Sequence, residues 1–194
     1  MAGSPGAGKT EFSTRFIENF EEAFKERIVR IDADEVRAIV PGFNGTNAHV
    51  IQRAAALGVE KIHDFSLQKK FHLILDATFA DLEKAKMNIN RSLRSKRIVQ
   101  IFYLYQRPEI AWDFTKKREA IEHRNIPKEI FIRAFCAARN NVNSIKQEYG
   151  DKITLNLVIK NISHGLEKLE LNIDSVDPYL NQSYTEADLR ELLS

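Results

Sequence analysis

The amino-acid sequence predicts an α/β protein in which helices cover both faces of an open, mostly parallel sheet. Short apolar runs rich in Ile, Val and Leu alternate with helix-length segments over most of the chain. These runs show little polar alternation, which is typical of strands buried on both faces. Two of them end in an acid, Asp32 and Asp76. Because ligands of such folds bind beyond the carboxyl ends of the strands, these acids indicate where a site would lie.

Composition and charge limit the class of protein. The chain has 194 residues, 43% of them hydrophobic and 29% charged, so we expect one domain over residues 1–194. The net charge of only +2 argues against a nucleic-acid partner. Cys136 is the only cysteine, which suits a reducing compartment. No apolar run reaches the roughly 20 residues of a membrane helix, and Met1 precedes no signal peptide, so we expect a cytoplasmic protein without a membrane partner.

A glycine-rich octet at residues 3–10 is the most specific motif of the chain. It matches the phosphate-binding pattern G-x-x-x-x-G-K-[ST], in which glycines let backbone N–H groups surround a phosphate. Lys9 would reach the β- and γ-phosphates, and the Thr10 hydroxyl would bind Mg²⁺. The predicted fold is therefore a three-layer sandwich of the P-loop NTPase type. We predict that a nucleoside triphosphate binds to the whole octet, that is, to Gly3, Ser4, Pro5, Gly6, Ala7, Gly8, Lys9 and Thr10.

The segments on the two sides of the octet differ. After it, apolar residues at helical spacing from Glu11 to Phe24 predict a helix whose N-terminus faces the phosphates. Before it stand only Met1 and Ala2, whereas a phosphate-binding loop normally follows a buried strand. We therefore expect the first strand of the sheet to be missing, which would expose apolar flanks and leave backbone groups of its neighbours unpaired.

The remaining elements follow from apolar periodicity and from turn residues. Pro41, Gly42 and Gly45 indicate a loop at 41–45. The long helix that follows this loop is predicted to be partly interrupted. The predicted elements are a strand at 27–32, a helix at 49–69, a strand at 71–76, a helix at 81–95, a strand at 97–104, and helices that begin at Pro108 and Pro127, the second ending near Tyr149.

The sequence changes character after Asp151. Strands are predicted at 153–159 and 169–173, and a terminal helix at 185–193 with Thr185 as its N-cap. No linker or repeat separates this tail from the rest. We therefore interpret residues 151–194 as an extension at the edge of the same domain.

The acids near the strand ends are candidates for phosphoryl-transfer chemistry. Asp34 lies two residues beyond Asp32, and we assign it as the general base that accepts a proton from a substrate hydroxyl. Asp34 would also suit a helix N-cap, and the two roles are compatible. Asp32 and Asp76 are assigned, with Thr10, to a metal site. A structural turn is the alternative for Asp76.

Other charged residues give weaker signals. Arg118 and Arg124 lie in a charge-rich segment, where they either close over the triphosphate as a lid or remain solvated. The basic cluster between Lys84 and Arg97 is better explained by solvation. None of the five histidines is spaced with Cys136 as ligands of a zinc site are, so none is assigned to a metal.

Together these motifs resemble the zeta toxin family of P-loop kinases, from Gly3 to about the start of the tail. One departure is Ala77, where the family usually has glycine. The matching elements are the octet at 3–10, Ile31-Asp-Ala-Asp34 with Pro41 downstream, Glu60 on the long helix, Asp76-Ala-Thr78, and Arg118 and Arg124 before Pro127.

The resemblance implies a kinase that uses ATP or GTP, with Mg²⁺, to phosphorylate the 3′-hydroxyl of UDP-N-acetylglucosamine, a peptidoglycan precursor. It also implies a small helical antitoxin that obstructs the nucleotide site. By position, the resemblance gives nucleotide and Mg²⁺ binding to Lys9 and Thr10, the base to Asp34, sugar-nucleotide contacts to Glu60 and Thr78, and stabilisation of the transferred phosphate to Arg118 and Arg124.

Two alternatives stay open at the level of the sequence. A kinase of this type could act on another acceptor, such as a nucleoside, an antibiotic hydroxyl or a nucleic-acid 5′ end. The near-zero net charge counts against a long nucleic-acid acceptor, which would require a basic track. Alternatively, the protein could bind nucleotide without transferring phosphate.

Overall fold

The computed structural model describes residues 1–43, 48–122, 126–161 and 165–193. Strands and helices alternate along them, which confirms the predicted α/β class, and no helix in these ranges is long and apolar enough to cross a membrane. In chain order the elements are α1 (Lys9–Phe24), β1 (Ile28–Asp32), α2 (Ala33–Ala38), α3 (Ala48–Gln68), β2 (His72–Asp76), α4 (Leu82–Arg94), β3 (Val99–Tyr105), α5 (Pro108–Glu122), α6 (Lys128–Tyr149), β4 (Ile153–Lys160), β5 (Leu166–Glu170) and α7 (Glu186–Leu192).

The strands form two sheets. In the first, β1 pairs with β2 in parallel, and the register places Asp32 opposite Asp76. In the second, β3 pairs with β4 in parallel and β4 pairs with β5 antiparallel. The predicted parallel pairing is thus present in two separate sheets. β2 is an edge strand of the first sheet, and β3 is an edge strand of the second.

The first residues of the chain lie between these two edges. The Met1 ammonium donates to the Leu75 carbonyl of β2 at 2.8 Å. On the other side, the Ala2 N–H donates to the Phe102 carbonyl of β3 at 2.8 Å, and the Ala2 carbonyl accepts from the Leu104 N–H at 2.8 Å. Ala2 therefore forms an isolated parallel bridge with Tyr103 of β3, directly before the octet, where the sequence predicts that a strand is missing.

Beyond Met1 and Ala2, a cavity of about 740 Å³ extends between the two sheet edges and reaches the surface of the octet. Its lining on this side is largely apolar and includes aromatic rings of α1 and residues of both edge strands, among them Phe16, Phe20, Leu73, Ile101 and Phe102. Parallel strands direct the N–H and C=O groups of alternate residues to the same side. The bonds made by Leu75 and Phe102 therefore indicate that Leu73 and Gln100 direct their backbone groups into the same cavity.

Helices cover both faces of the second sheet. On one face, Leu155 and Leu157 of β4 pack with α6 residues such as Val142 and Ile145 in the largest apolar cluster. On the other face, Val158 and Leu104 pack with Ala7 of the octet. This alternation of side chains along β4 buries the strand on both faces, as its sequence predicts.

The end of the chain packs against α5 and α6. Leu189 and Leu193 join Phe131, Phe135 and Ala111 in one apolar cluster. The predicted N-cap of the terminal helix is present, because Thr185 and Asp188 form a reciprocal capping box.

Three local predictions need correction. The strand predicted at 169–173 is present with other bounds, Leu166–Glu170. It ends at Glu170 because Asn172 adopts a left-handed conformation (φ 51°) and donates its N–H to the Asn156 side chain at 3.0 Å. The long helix α3 is continuous rather than interrupted. The N-cap after β1 is Asp32 and not Asp34, since the Asp32 carboxylate accepts the Asp34 N–H at 2.8 Å.

The octet packs so closely on α5 that Gly6 has no room for a side chain. A Cβ at Gly6 would lie 2.0 Å from the Ala111 carbonyl oxygen, whereas a Cβ at Gly150 would meet no atom within 4 Å. Both glycines have positive φ. We expect Gly150→Ala to cost about 1–3 kcal/mol from backbone strain alone, because residues with a side chain rarely adopt its φ of 54° and ψ of −130°. Gly6→Ala should cost more, because the clash adds to the strain. Urea unfolding measures both, and equal losses would rule out the clash.

Candidate active site

The octet forms a loop that turns from the gap between the sheets into α1. Gly3, Gly6 and Gly8 have φ values of 145°, 70° and 79°, which other residues rarely adopt. Gly8 is the N-cap of α1, and no side chain caps the first turn. The first N–H groups of the helix and the positive end of its dipole therefore face the loop, as they do in phosphate-binding sites.

Lys9 lies over its own loop. Its ammonium donates to the Ser4 carbonyl at 2.8 Å and to the Gly3 carbonyl at 3.1 Å. The positive charge is therefore held beside the loop, where phosphate oxygens would compete with these carbonyls for its protons.

Three side-chain oxygens from different elements surround one arginine nitrogen. The Nη2 atom of Arg30 lies 2.7 Å from Oδ2 of Asp32, 3.0 Å from Oδ2 of Asp76 and 3.5 Å from Oγ1 of Thr10. We call these three oxygens the oxygen cluster. The structure thus brings together the three residues assigned to the metal from sequence. They meet because the register places the two acids opposite each other at the strand ends, beside the first turn of α1.

Arg30 balances the charge of these acids. Burial raises the pKa of the Asp32 carboxyl, although the Asp34 N–H and the Arg30 guanidinium favour its ionised form. Burial also opposes the charge of Arg30, but the hydrogen bond to Asp76 and the charges of Asp76, Asp32 and Glu35 outweigh it and raise the Arg30 pKa. Two largely buried carboxylates thus share one charged guanidinium.

The oxygen cluster suits Mg²⁺ by its chemistry. Mg²⁺ is a hard cation that prefers oxygen ligands, commonly one or two carboxylates together with phosphate oxygens and water. The described residues contain no group of three or more His, Cys, Asp or Glu side chains that could hold a metal without such help. The residues present therefore fit a magnesium ion that arrives with nucleotide phosphates.

Arg37 holds the Asp34 side chain in place. The Arg37 side chain donates to Oδ1 of Asp34 at 2.7 Å and to Oε1 of Gln52 at 2.9 Å, and Arg37 is buried. This pair of bonds ties the first turn of α2 to α3. Lys9, Asp34 and Arg37 all line the same cavity.

The other predicted site residues are distributed unevenly. Thr78 and Arg118 line the cavity with Lys9 and Asp34. Glu60, half-buried on α3, is absent from the described lining. Arg124 lies outside the described residues.

Sequence reasoning missed Arg30 and Arg37. Arg30 precedes Asp32 by two residues on one strand, which places both on the same face. Arg37 follows Asp34 by three residues on one helix, within reach of an ion pair. These spacings are the signals that would identify both arginines.

Comparisons with known proteins agree with this geometry. The zeta toxin family model matches residues 1–165. Among solved structures 29 chains match. One, from the PezAT chromosomal toxin–antitoxin system of the human pathogen Streptococcus pneumoniae, has a TM-score of 0.67 at 16% identity, over 98% of this chain and 75% of that chain, and supports the fold. No curated protein matches. Since the family match covers the octet, both strand-end acids and most of the chain, the protein belongs to the zeta toxin family of P-loop kinases.

Proposed function

We propose that the protein transfers the γ-phosphoryl group of ATP or GTP to a hydroxyl of a sugar nucleotide, with UDP-N-acetylglucosamine as the acceptor. The observation that carries this proposal is that Asp34, held by Arg37, lines the same cavity as Lys9 and Thr10. A protein that only binds nucleotide needs the phosphate loop and a metal site. A carboxylate held in the same cavity is what a hydroxyl acceptor requires in addition.

The octet would bind the donor phosphates. Backbone N–H groups of the loop and of the first turn of α1 face the phosphate position, and the Lys9 ammonium lies beside it. Mg²⁺, when bound, would neutralise charge on the phosphates, and Thr10, Asp32 and Asp76 would hold it. ATP and GTP share these phosphates, so the loop serves either donor.

Asp34 would take the proton in the transfer step. The acceptor oxygen bonds to the γ-phosphorus, the bond from this phosphorus to the bridging oxygen breaks, and the nucleoside diphosphate leaves. The acceptor's hydroxyl proton moves to Asp34. Arg37 orients the Asp34 carboxylate through its bond to Oδ1. Arg118, which lines the cavity, would stabilise charge on the transferred group, with Arg124 in the same role by family resemblance.

Acceptor contacts and a protein partner complete the proposal. Thr78 lines the cavity next to the strand-end acids, which supports a contact with the sugar nucleotide. Glu60 is assigned to the acceptor by family resemblance alone. Because the PezAT structure is of a toxin–antitoxin system, we also propose an antitoxin for this chain that obstructs the nucleotide site. We also propose a cytoplasmic location, where a sugar-nucleotide acceptor would be available.

Replacing the base should separate transfer from binding. In Asp34→Asn we expect transfer to fall by a factor of about 10² to 10⁴, while affinity for ATP changes little. Mass spectrometry of UDP-N-acetylglucosamine after incubation with ATP and Mg²⁺ measures transfer, and calorimetry measures binding. Asp174→Asn, at a fully exposed carboxylate, is the control and should behave as wild type. Full turnover in Asp34→Asn would remove Asp34 as the base.

The same assay tests the acceptor. Phosphorylation of UDP-N-acetylglucosamine, but not of a nucleoside, an aminoglycoside or a 5′-hydroxyl oligonucleotide, is the expected result. Phosphorylation of another acceptor alone would support a kinase but refute UDP-N-acetylglucosamine as its substrate. Intact ATP binding without phosphorylation of any acceptor would indicate a protein that binds nucleotide but does not transfer phosphate.

Removing the loop ammonium should remove donor binding. Lys9→Ala is expected to weaken ATP affinity by at least about tenfold, because the charge beside the β- and γ-phosphates is lost. Expression of the wild type should arrest bacterial growth, and Lys9→Ala should relieve this arrest. Lys61→Ala, on the exposed surface of α3, serves as the matched control. Continued arrest by Lys9→Ala at equal protein level would contradict the mechanism.

A further inference from the structure

Arg30 occupies the centre of the oxygen cluster. Its side chain is only 13% exposed, and the same nitrogen, Nη2, contacts Thr10, Asp32 and Asp76. The other terminal nitrogen, Nη1, forms an ion pair with Glu35 at the start of α2. One guanidinium thus joins α1, β1, α2 and β2 at the carboxyl ends of the strands.

A magnesium ion and this guanidinium nitrogen cannot use the same oxygens at once. Mg²⁺ binds its oxygen ligands at about 2.0–2.1 Å. An ion at that distance from Asp32 and Asp76 would lie where Nη2 now lies, 2.7 Å and 3.0 Å from them. Binding of the metal therefore requires Nη2 to leave.

The pair with Glu35 gives Arg30 a second anchor away from these oxygens. The Glu35 side chain is 61% exposed, so it lies toward solvent while Asp76, at 5%, lies inside. An arginine that leaves the oxygen cluster can keep Nη1 on Glu35. Without any cation, the two carboxylates would face each other across paired strands, which is unfavourable.

We propose that Arg30 is an internal counter-cation that holds the magnesium position in the nucleotide-free protein and leaves Thr10, Asp32 and Asp76 when Mg²⁺ arrives with the nucleotide. The proposal rests on the magnesium site of the proposed function. It assigns Arg30 a positioning role rather than a part in the chemical step.

Magnesium binding without nucleotide tests this role directly. In Arg30→Met the competing charge is absent, so calorimetric titration with MgCl₂ should show Mg²⁺ binding at least about tenfold tighter than in wild type. The melting temperature of Arg30→Met without metal should lie below that of wild type. Mg²⁺ should raise it by several degrees more than it raises the wild-type value, because a ligand stabilises the state that binds it. NaCl at equal ionic strength should not.

Arg139→Met is the matched control. Arg139 is 14% exposed and pairs with Asp177 at 2.7 Å, so its loss removes a comparable ion pair far from the oxygen cluster. Mg²⁺ should not compensate for that loss. Arg30→Lys keeps a charge, but a single ammonium cannot contact both Glu35 and the oxygen cluster, and its Mg²⁺ affinity should lie between those of wild type and Arg30→Met.

Equal Mg²⁺ affinities for wild type and Arg30→Met would overturn the proposal. If Arg30→Met does not fold, an affinity of Arg30→Lys no tighter than wild type would overturn it instead. The titrations contain neither nucleotide nor acceptor. If Arg30→Met binds Mg²⁺ more tightly but the protein phosphorylates no acceptor, the role of Arg30 is supported and the kinase activity is refuted. If the protein phosphorylates its acceptor but Arg30→Met binds Mg²⁺ no more tightly than wild type, only the kinase activity is supported.

Discussion

The backbone hydrogen bonds of residues 1–3 hold the two sheets of this protein together at the end where the site lies. Met1 bonds to β2, Ala2 bonds to β3 on both of its polar groups, and the Gly3 N–H donates to the Thr78 carbonyl at 3.3 Å. The octet begins at Gly3, so the short segment between β2 and β3 also positions the phosphate loop relative to the strand ends. The same segment therefore contributes both to the connection between the sheets and to the position of the site.

Charge balance at the strand ends is the second constraint. Asp32 and Asp76 are opposite each other in the register, and burial makes the ionised form of Asp32 costly. A buried ion pair of this kind adds little net stability, but loss of one partner leaves a charge uncompensated. Arg30, which bonds to both acids, therefore compensates the charge of this pair. Arg37 orients the Asp34 carboxylate by donating a hydrogen bond to its Oδ1 atom.

Local patterns in the sequence predicted the elements well, and long-range pairing accounts for what they missed. The octet, the strand-end acids and the Thr185 cap each depend on neighbouring residues, and the structure places them as expected. The end of β5 depends on the Asn156 side chain, 16 residues from Asn172, which no periodicity reveals. The contact of Arg30 with Asp76 spans 46 residues and requires the register of two strands.

Thr10 connects the two halves of the proposed mechanism. It lies in the first turn of α1, which would bind the phosphates, and its hydroxyl also belongs to the oxygen cluster. Free Mg²⁺ would have to displace Arg30 with only the oxygen cluster and water as ligands. Mg²⁺ bound to a nucleotide would also have phosphate oxygens as ligands, and Lys9 and the helix N-terminus would bind the same phosphates. In the proposed mechanism, exchange of Arg30 for Mg²⁺ would therefore be favoured when donor and metal bind together. Occupation of the loop would then be coupled to assembly of the metal site.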